Sequence, residues 1–473
     1  MDHEYSLLIR CTDDGRTECD MNDRVLAYDV IVVGGGTTGV CAAVSAARLG
    51  AKTALIELQG FLGGNACNGM AWYGFHSTGN DQQVVAGLPL ELIERLQNAG
   101  GASEFCMDPV SGSMVQVNSA LLKLECLKLC LENNVSLHFH SMMTNVLACS
   151  AWEQRIEVYC KTQRTVYISK VLVDCTDSGD AAVCAGAQYH KGRKEDGKTQ
   201  VASSTIIVGG IDMKTLIAYF ADHPDQIRPI PLPPQELTAL VKRMQRAPVF
   251  GMGAFPDLIA KAKQNGLVGY PRDRLVGQAF VNTGEMLLVA SRVEDVDPND
   301  EEAYTQAEMT GTLQTEATLT LLRKYLPGCQ NARIVGSGHT IGIRETKHIY
   351  GDYYLTREDV MQGKEFPDVI ALGAYHLDVH SPDHQGIDSG QPPVYQIPYR
   401  SLLPKGVDGL LMAGRTISAD HYAQASARVI PIAAAVGQAA GIAAGIAVQS
   451  GCDPRHIDVQ LLRSILKEQG ALL

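Results

Sequence analysis

The pattern of apolar and polar residues predicts a strand, a helix and a second strand near the start of the chain. Residues 28–33, YDVIVV, form a short β-branched apolar run that is typical of a buried parallel strand. The small residues Ala43, Ala47 and Gly50 then mark one face of a helix, and residues 52–57, KTALIE, form a second apolar run. This order predicts a β-α-β unit and an α/β fold.

A long apolar run near the C-terminus raises the question of a membrane helix. Residues 429–448 carry no charge and are long enough to cross a bilayer. The run is mostly Ala and Gly, Gln438 lies in its middle, and no basic or aromatic flank marks an interface. We therefore predict no membrane partner and a core helix that starts near Pro431. Its close-packing face, against the first helix or the sheet, would be the glycine row Gly437, Gly441 and Gly445.

Charge and length narrow the class of protein. The chain has 473 residues, with 40 Lys plus Arg against 52 Asp plus Glu and a formal net charge of −12. Its longest basic run is the short HKGRK at residues 190–194, which argues against a nucleic-acid partner. The length exceeds what one hydrophobic core usually serves, so more than one lobe is expected.

The cysteines and the N-terminus indicate a compartment. Thirteen cysteines are scattered without CxxC or other metal spacing, so we predict reduced thiols, no metal site and a cytoplasmic protein. The first 27 residues contain acids where a signal peptide has a basic start, and we predict no export signal there.

A glycine-rich turn follows the first predicted strand. Gly34, Gly36 and Gly39 have the GxGxxG spacing, in which the first glycine permits the turn, the second admits a pyrophosphate and the third packs helix on strand. Phosphates then lie at the helix N-terminus. Glu57 ends the second strand, where an acid accepts hydrogen bonds from ribose hydroxyls. The unit predicts a dinucleotide site, and the alternative is a glycine turn without a ligand.

Four segments resemble the FAD-dependent oxidoreductase family related to the glutathione reductase and fumarate reductase flavoproteins. They are residues 29–57 with FLGGNA at 61–66, VLVDCTDSGDAAVCAGA at 171–187, GIRETKHIYGDYYLTREDV at 342–360, and the stretch from IPYRSLL to GIAAG at 397–445. The resemblance implies FAD as the cofactor. It also implies an α/β fold, with a Rossmann-like FAD-binding domain of the GR2 type and an inserted α+β substrate lobe.

The predicted domain boundaries follow from the order of these segments. They are 1–27 for an N-terminal extension, 28–190 and 371–473 for the two parts of the FAD-binding domain, and 191–370 for the substrate lobe. The lobe has a Pro-rich passage from residue 228, RPIPLPPQEL, and no dinucleotide glycine spacing.

The resemblance also implies the residues that bind FAD. The segment at 171–187 corresponds to a second flavin contact, although Asp and Ser there would equally cap a helix. The C-terminal helix is expected to point its N-terminus, through two alanine amides, at the flavin and to stabilise negative charge there. The full predicted set is Gly34, Gly36, Thr38, Gly39, Glu57, Gly63, Gly64, Asn65, Asp177, Gly179, Asp180, Gly414, Arg415, Ala433 and Ala434.

The candidate catalytic residues are titratable groups ahead of the last flavin segment. Period-two spacing places His376, Asp378 and His380 on one face of an extended strand, where a His beside a carboxylate is a candidate acid or base. His339 and Arg344 are further candidates, and the guanidinium would bind a substrate carboxylate. The structural alternatives are histidines that are only solvated or structural and an Arg344 ion pair with Glu345 or another acid.

Three further residues are weaker candidates. Cys67 follows the ribose acid and would carry flavin covalently or remain a small buried thiol. The resemblance places Tyr399 and Arg400, in IPYRSL, near the crossover between the lobes, where a tyrosine that only packs is the commoner case.

These observations favour an FAD-dependent oxidoreductase that transfers a hydride between a small organic substrate and flavin N5, with the dehydrogenase or oxidase direction preferred. One alternative is a flavin-dependent reductase of an activated C=C bond, and an alternative of another class is a flavin- or nucleotide-binding protein without activity. A homo-oligomer is compatible with the sequence.

Overall fold

A five-stranded parallel sheet forms the centre of the molecule. The computed structural model describes residues 24–78, 81–108, 111–227, 234–385, 387–388 and 390–473. Most of the predicted N-terminal extension and the start of the Pro-rich passage lie outside these ranges. The strand order in the sheet is Leu410–Met412, Val171–Asp174, Val30–Val33, Thr53–Ile56 and Ser136–His138. Both predicted N-terminal strands are present, and they are buried because both faces of the sheet are covered.

A second sheet continues this domain. Its order is Arg24–Ala27, Gln163–Ser169, Gln154–Cys160 and Met142–Cys149, and the last three strands form an antiparallel meander. The first strand pairs in parallel with the second. The last four residues of the predicted N-terminal extension therefore belong to the sheet.

The inserted lobe has its own sheet and core. Its five antiparallel strands have the order Val249–Ala254, Leu275–Phe280, Glu285–Val289, Thr205–Gly209 and Arg333–Ser337. Phe220, Phe255 and Leu288 belong to a hydrophobic core formed within residues 206–332, distinct from the core around the parallel sheet. The fold is thus a Rossmann-like α/β domain with an inserted α+β lobe.

The remaining strands are short. They are Trp72–Tyr73, Cys106–Asp108, Gly112–Val115, Tyr189–Lys191, Lys347–Ile349, Val369–Gly373, Val379–His380, Ile387–Asp388 and Tyr395–Pro398. The α-helices are Thr37–Arg48, Leu88–Asn98, Ser119–Glu132, Asp180–Cys184, Met213–Asp222, Pro234–Met244, Pro256–Gln264, Glu301–Tyr325, Arg357–Gln362, His421–Ala427, Ile430–Ser450 and Val459–Glu468.

The apolar C-terminal run is a helix in the protein core. It spans Ile430–Ser450, which is long and apolar enough to cross a membrane, and 89% of its most apolar 18-residue window is buried within the protein. A Cβ added at Gly437 or Gly441 would lie 2.3 or 2.1 Å from a backbone oxygen of the helix Thr37–Arg48. The glycine row therefore lets the two helix backbones touch, and the predicted packing face is confirmed.

Candidate active site

A cavity of about 480 Å³ lies at the carboxyl ends of the parallel strands, and we call it the cofactor cavity. Its volume is within the roughly 300–1,000 Å³ that is typical of ligand sites. Residues 298–299, Tyr304 and residues 339–340 of the inserted lobe contribute to its wall. Most of the predicted FAD-binding residues line it, namely Gly34, Gly36, Thr38, Glu57, Gly63, Gly64, Asn65, Asp177, Asp180, Gly414, Arg415 and Ala433.

The first glycine turn leaves open space at the N-terminus of a helix. Gly34 has a φ of +99°, and an added Cβ would lie 2.4 Å from the carbonyl oxygen of Cys175, so only glycine fits. An added Cβ at Gly36 meets nothing within 4 Å. Gly36 is also the N-cap of Thr37–Arg48 and provides no side-chain cap. The first amides of this helix are therefore available to an anion in the cavity.

The second glycine loop pairs with the first. The amide of Gly63 donates to the carbonyl of Gly35 over 2.9 Å, and an added Cβ at Gly64 would approach the Cα of Gly36 to 3.0 Å. Glu57 accepts hydrogen bonds from the amides of Gly35 at 2.5 Å and Gln59 at 2.6 Å. Burial raises the pKa of this carboxyl in spite of those hydrogen bonds. Glu57 thus connects the turn to the loop at the cavity wall.

The segment after strand Val171–Asp174 contributes acids that are not helix caps. Asp177 forms an ion pair of 2.7 Å with Arg415, and Asp180 forms one of 3.2 Å with Lys347. The helix Asp180–Cys184 has no side-chain cap on its N-cap residue Gly179. The buried Asp174 instead accepts from the amide of Ala182, and burial raises the pKa of its carboxyl to about 6. The helix-cap alternative therefore fails for Asp177 and Asp180.

Three of the predicted FAD-binding residues do not line the cavity. Gly39 supports the turn, because an added Cβ would lie 1.8 Å from the carbonyl oxygen of Gly34. Gly179 has a φ of +67° and packs on Ile349, and Ala434 is fully buried. These three residues therefore pack behind the cavity wall, and their contact with FAD stays a prediction.

The expectation for the alanine amides is wrong for Ala433. Its amide donates to the carbonyl of Val429 over 2.9 Å, because Ala433 is already the fourth residue of the helix Ile430–Ser450. Ile430 and Ala433 line the cavity, whereas Ala434 does not. The start of the helix still faces the cavity at Ile430. The amides that remain available to a ligand belong to the residues before Ala433, and Pro431 contributes none because proline has no N–H.

These features fit FAD. The space over Gly36 is a cradle that any side chain would fill, two helix N-termini face the cavity, and a buried acid lies beside it. The cavity is also lined by Arg428, whose Nε is buried and has no hydrogen-bond partner among the described residues. Contact of each individual residue with FAD stays a prediction.

A buried group of charged side chains adjoins the cavity at Arg428. Its guanidinium donates to Asp378 over 3.0 Å, and the same carboxylate lies 3.2 Å from Nε2 of His380 and 3.8 Å from Nε2 of His376. We call Arg344, His376, Asp378, His380 and Arg428 the Arg-His cluster. Three of the four predicted catalytic residues are thus brought together.

The predicted strand through this cluster is wrong. The strand Val369–Gly373 ends before His376, and only Val379–His380 is extended again. The side chains nevertheless converge, because His376 from the intervening loop and His380 from the short strand both turn towards Asp378.

Charge partners set the ionisation of the cluster. Burial opposes ionisation of Asp378, but His380, His376 and Arg428 outweigh it and hold the pKa of the carboxyl well below its usual range. Burial and the charge of Arg344 lower the pKa of His380 to about 4, although Asp378 opposes this shift. At neutral pH the pair is therefore a carboxylate beside a neutral imidazole.

Arg344 is not paired with Glu345, contrary to the structural alternative. Its Nη1 donates to the carbonyl of Val201 and to Oγ of Ser203. Glu345 is held by two histidines instead, with 2.6 Å from one Oε1 oxygen to Nε2 of His348 and to Nδ1 of His421. These hydrogen bonds outweigh burial and lower the pKa of Glu345 to about 2.

The group Glu345, His348 and His421 was not anticipated from the sequence. Three such ligands could in principle hold a metal ion. Both nitrogen-to-oxygen distances are those of short hydrogen bonds, and Nδ1 of His348 already donates to the carbonyl of Ala419. The geometry supports a hydrogen-bonded triad, and the absence of a metal stays a prediction.

The fourth predicted catalytic residue, His339, is separate from the cluster. It lines the cavity, its ring lies 4.7 Å from that of Phe61, and its amide donates to Asn68. Burial, followed by the charge of Lys123, lowers the pKa of its imidazole. Its catalytic role stays a prediction.

The three weaker candidates, Cys67, Tyr399 and Arg400, have contacts that suit a structural role. Burial raises the pKa of Cys67 to about 12, so its thiol is protonated, and the residue does not line the cavity. The hydroxyl of Tyr399 donates to the carbonyl of Pro454, and Arg400 pairs with Asp368.

Two residues that line the cavity, Arg428 and Tyr304, were not predicted from the sequence. Arg428 is a lone cation just before a long apolar helix, which is a detectable signal. Tyr304 lies in the helix Glu301–Tyr325 of the inserted lobe, and nothing in its sequence context marks it.

Comparison with known proteins gives matches of very different extent. Over 41 residues, 9% of this chain and 9% of that protein, the chain is 58% identical to the dihydrolipoyl dehydrogenase of Trypanosoma brucei brucei. The chain thus matches less than a tenth of the length of this curated relative.

Solved structures match over more of the chain at low identity. A geranylgeranyl bacteriochlorophyll reductase-like protein of Thermoplasma acidophilum is 12% identical, with 94% of this chain and 85% of that chain covered and a TM-score of 0.45. The flavin-dependent brominase Bmp2 is 13% identical, with 93% and 83% covered and a TM-score of 0.44.

The family assignment depends on a different match. The model of the family described as FAD dependent oxidoreductase matches residues 29–466, which includes both glycine loops and the C-terminal helix. The chain therefore belongs to the FAD dependent oxidoreductase family.

Proposed function

We propose that this FAD-dependent oxidoreductase oxidises a small organic substrate, with hydride transfer from a substrate carbon to flavin N5. When bound, FAD supplies the two-electron acceptor. The proposal depends chiefly on one observation, which is that His380 lies beside Asp378 and is joined through Arg428 to the wall of the cofactor cavity. We place the substrate between this cluster and the cavity.

The cavity wall would hold FAD through backbone groups. The amides at the start of helix Thr37–Arg48 would bind the pyrophosphate over Gly36, and Glu57 would bind the ribose hydroxyls. The N-terminus of helix Ile430–Ser450 would stabilise negative charge on the flavin.

His380 would remove the proton that accompanies the hydride. Its Nε2 faces the carboxylate of Asp378, so the neutral ring carries its proton on Nε2 and keeps the lone pair on Nδ1. Asp378 fixes this tautomer and stabilises the imidazolium that forms. The substrate would lose its hydroxyl or amine proton to Nδ1 of His380.

The ionisation of His380 favours oxidation over reduction of a C=C bond. A base must be unprotonated at working pH, and burial lowers the pKa of His380 to about 4. An acid for the reductive direction would need the protonated ring, which is scarce at neutral pH. The reductase alternative is therefore less well supported.

The test compares flavin reduction in His380→Asn and wild-type holoenzyme. Asparagine keeps a polar group but removes the basic nitrogen, so we expect flavin reduction by the substrate to slow by roughly 10²–10⁴-fold. The substrate is first found by an anaerobic metabolite screen that records bleaching of the flavin spectrum.

The exposed His456 provides the matched control, His456→Asn, with an expected unchanged rate. Equal rates in wild type and His380→Asn, with equal FAD content, would contradict the assignment of His380. Turnover that starts only with reduced viologen and an alkene acceptor would instead support the reductase alternative.

We also propose that the protein acts in the cytoplasm. All eleven cysteines of the described residues are free thiols, which suits a reducing compartment. Cell fractionation with an antibody to the chain is the direct test.

A further inference from the structure

Positive charge exceeds negative charge around the Arg-His cluster. Four arginines, Arg272, Arg292, Arg344 and Arg428, influence one another in the protein interior. Arg428 is paired with Asp378, and Arg292 with the half-exposed Glu294. Among the described residues, Arg272 and Arg344 have no ion-pair partner. Buried cations without an anion are costly, so this imbalance needs an explanation.

Arg272 is satisfied by neutral groups. Its guanidinium donates to the carbonyl of Ser291 at 2.7 and 3.1 Å and to Oγ of Ser203 at 2.9 Å, and the residue is 5% exposed. It therefore has a structural role, binding the loop at Ser291 to the loop at Ser203.

Arg344 is different, because part of its guanidinium has no acceptor. Within the described residues its hydrogen bonds to Val201 and Ser203 both use Nη1, and Nε and Nη2 donate to nothing. The residue is half-buried and does not itself line the cofactor cavity, whereas its neighbour in charge, Arg428, does. Burial, followed by the charges of Arg428 and Arg272, lowers the pKa of its guanidinium to about 9.

Asp378 offsets the charge of Arg344 only in part, because it raises the pKa of the guanidinium less than burial, Arg428 and Arg272 each lower it. Its carboxylate already has Arg428 on Oδ2 and both histidines on Oδ1. The other carboxylate nearby, Glu345, is held by His348, His421 and the amide of Gln200. Neither acid therefore forms an ion pair with Arg344, and its charge is only partly offset.

We propose that the substrate is an organic anion whose carboxylate is bound by Arg344 and Arg428, beside the His380 and Asp378 pair. This inference rests on the proposed function, since it places the substrate in the same cluster. An anion here would use the two free donors of Arg344 and the unpartnered Nε of Arg428. A planar guanidinium matches a carboxylate in a bidentate geometry, and the interior strengthens the attraction.

The experiment titrates the holoenzyme with matched pairs of probes and follows the visible spectrum of the bound flavin. The pairs are acetate with acetamide and benzoate with benzamide, which differ in charge and hardly in shape. We expect saturable spectral shifts with the carboxylates and binding of the amides that is weaker by on the order of 100-fold. Equal affinity within a pair, or no saturable carboxylate binding, would overturn the proposal.

Arg344→Gln is expected to weaken benzoate binding by on the order of 100-fold, and Arg344→Lys by less, because lysine keeps the charge. Arg155→Gln, at an exposed ion pair with Glu153, is the control and should bind benzoate like wild type. FAD content and melting temperature show whether each variant is folded. If Arg344→Gln does not fold, the proposal is still tested by the probe pairs on wild type and by benzoate binding to Arg344→Lys.

The two proposals fail in distinguishable ways. If a neutral substrate reduces the flavin in wild type but not in His380→Asn, the proposed function stands and the anionic substrate is wrong. If carboxylates bind through Arg344 while the identified substrate reduces wild type and His380→Asn equally, the anion site stands and the role of His380 is wrong.

Discussion

The cofactor cavity and the Arg-His cluster are neighbours built in opposite ways. The cavity is formed by backbone, through glycine turns at Gly34 and Gly63 and the start of two helices. The cluster is formed by side chains that converge from loops and from Arg428. A site formed by backbone requires residues without bulky side chains, whereas a site formed by charged side chains requires that their charges be balanced. The two regions should therefore respond to different mutations.

The largest expected effect is on the cavity. Gly36→Val places a side chain in the open cradle, and the φ of −62° at this residue is allowed for any side chain. We expect FAD affinity to fall by roughly 10³-fold, because the pyrophosphate can no longer approach the backbone. The melting temperature of the FAD-free protein should stay the same. Isothermal titration of the FAD-free protein measures the affinity, and unchanged binding would mean that the pyrophosphate lies elsewhere.

Glu345→Gln tests the charge balance behind the cluster. The pKa of Glu345 is lowered to about 2 in the fold, so its stabilisation is complete above its ordinary pKa of 4.5 and is lost as pH falls towards 2. We expect a loss of about 3 kcal/mol in the free energy of unfolding at pH 7, with a smaller difference from wild type at pH 3. Urea unfolding at both pH values measures this. A difference that does not shrink in acid would rule out the ionic explanation.

Gly437→Ala tests the backbone contact under the cavity. The added Cβ would lie 2.3 Å from the carbonyl oxygen of Thr38, so the helices must separate. We expect the protein to be destabilised by about 1–3 kcal/mol and to bind FAD more weakly. Ala435→Ser, at a partly buried position of the same helix, is the matched control for thermal unfolding. Equal melting temperatures of wild type and Gly437→Ala would show that the contact is not tight.

The smallest expected effect is a pH dependence confined to the cluster. The pKa of His380 is about 4, so kcat/KM for substrate oxidation should be flat near neutrality and fall tenfold per pH unit below about 4. Asp378→Asn removes a charge that raises this pKa, and the limb should move to lower pH. Stopped-flow flavin reduction across pH records the profile. A limb near pH 6.5 would show that His380 is not desolvated as described.

Much of the cavity could be predicted because its requirements are local. GxGxxG, the acid Glu57 and the glycine row Gly437, Gly441 and Gly445 each lie in one continuous segment. Their roles depend on backbone geometry that a few neighbouring residues determine. The error at Ala433 arose from one detail, because the first turn of its helix begins at Ile430.

The sequence predicted most residues of the Arg-His cluster, but it did not predict their arrangement. Spacing suggested that His376, Asp378 and His380 act together, and they do meet, although the strand used to argue it ends at Gly373. The sequence could not show that Glu345 belongs to His348 and His421 and not to Arg344. Such a choice depends on which side chains the folded loops bring within hydrogen-bonding distance.

The sequence by itself indicated the family and FAD, through the resemblance of four segments to known flavoproteins. It also indicated the buried position of the C-terminal helix, through composition and glycine spacing within one segment. Only the tertiary structure decided which charges are left uncompensated. Arg344 and Arg428 are separated along the chain, and only the folded chain brings their charges close enough to interact. Charge balance is a property of the folded interior, since burial sets its cost and neighbours set its compensation.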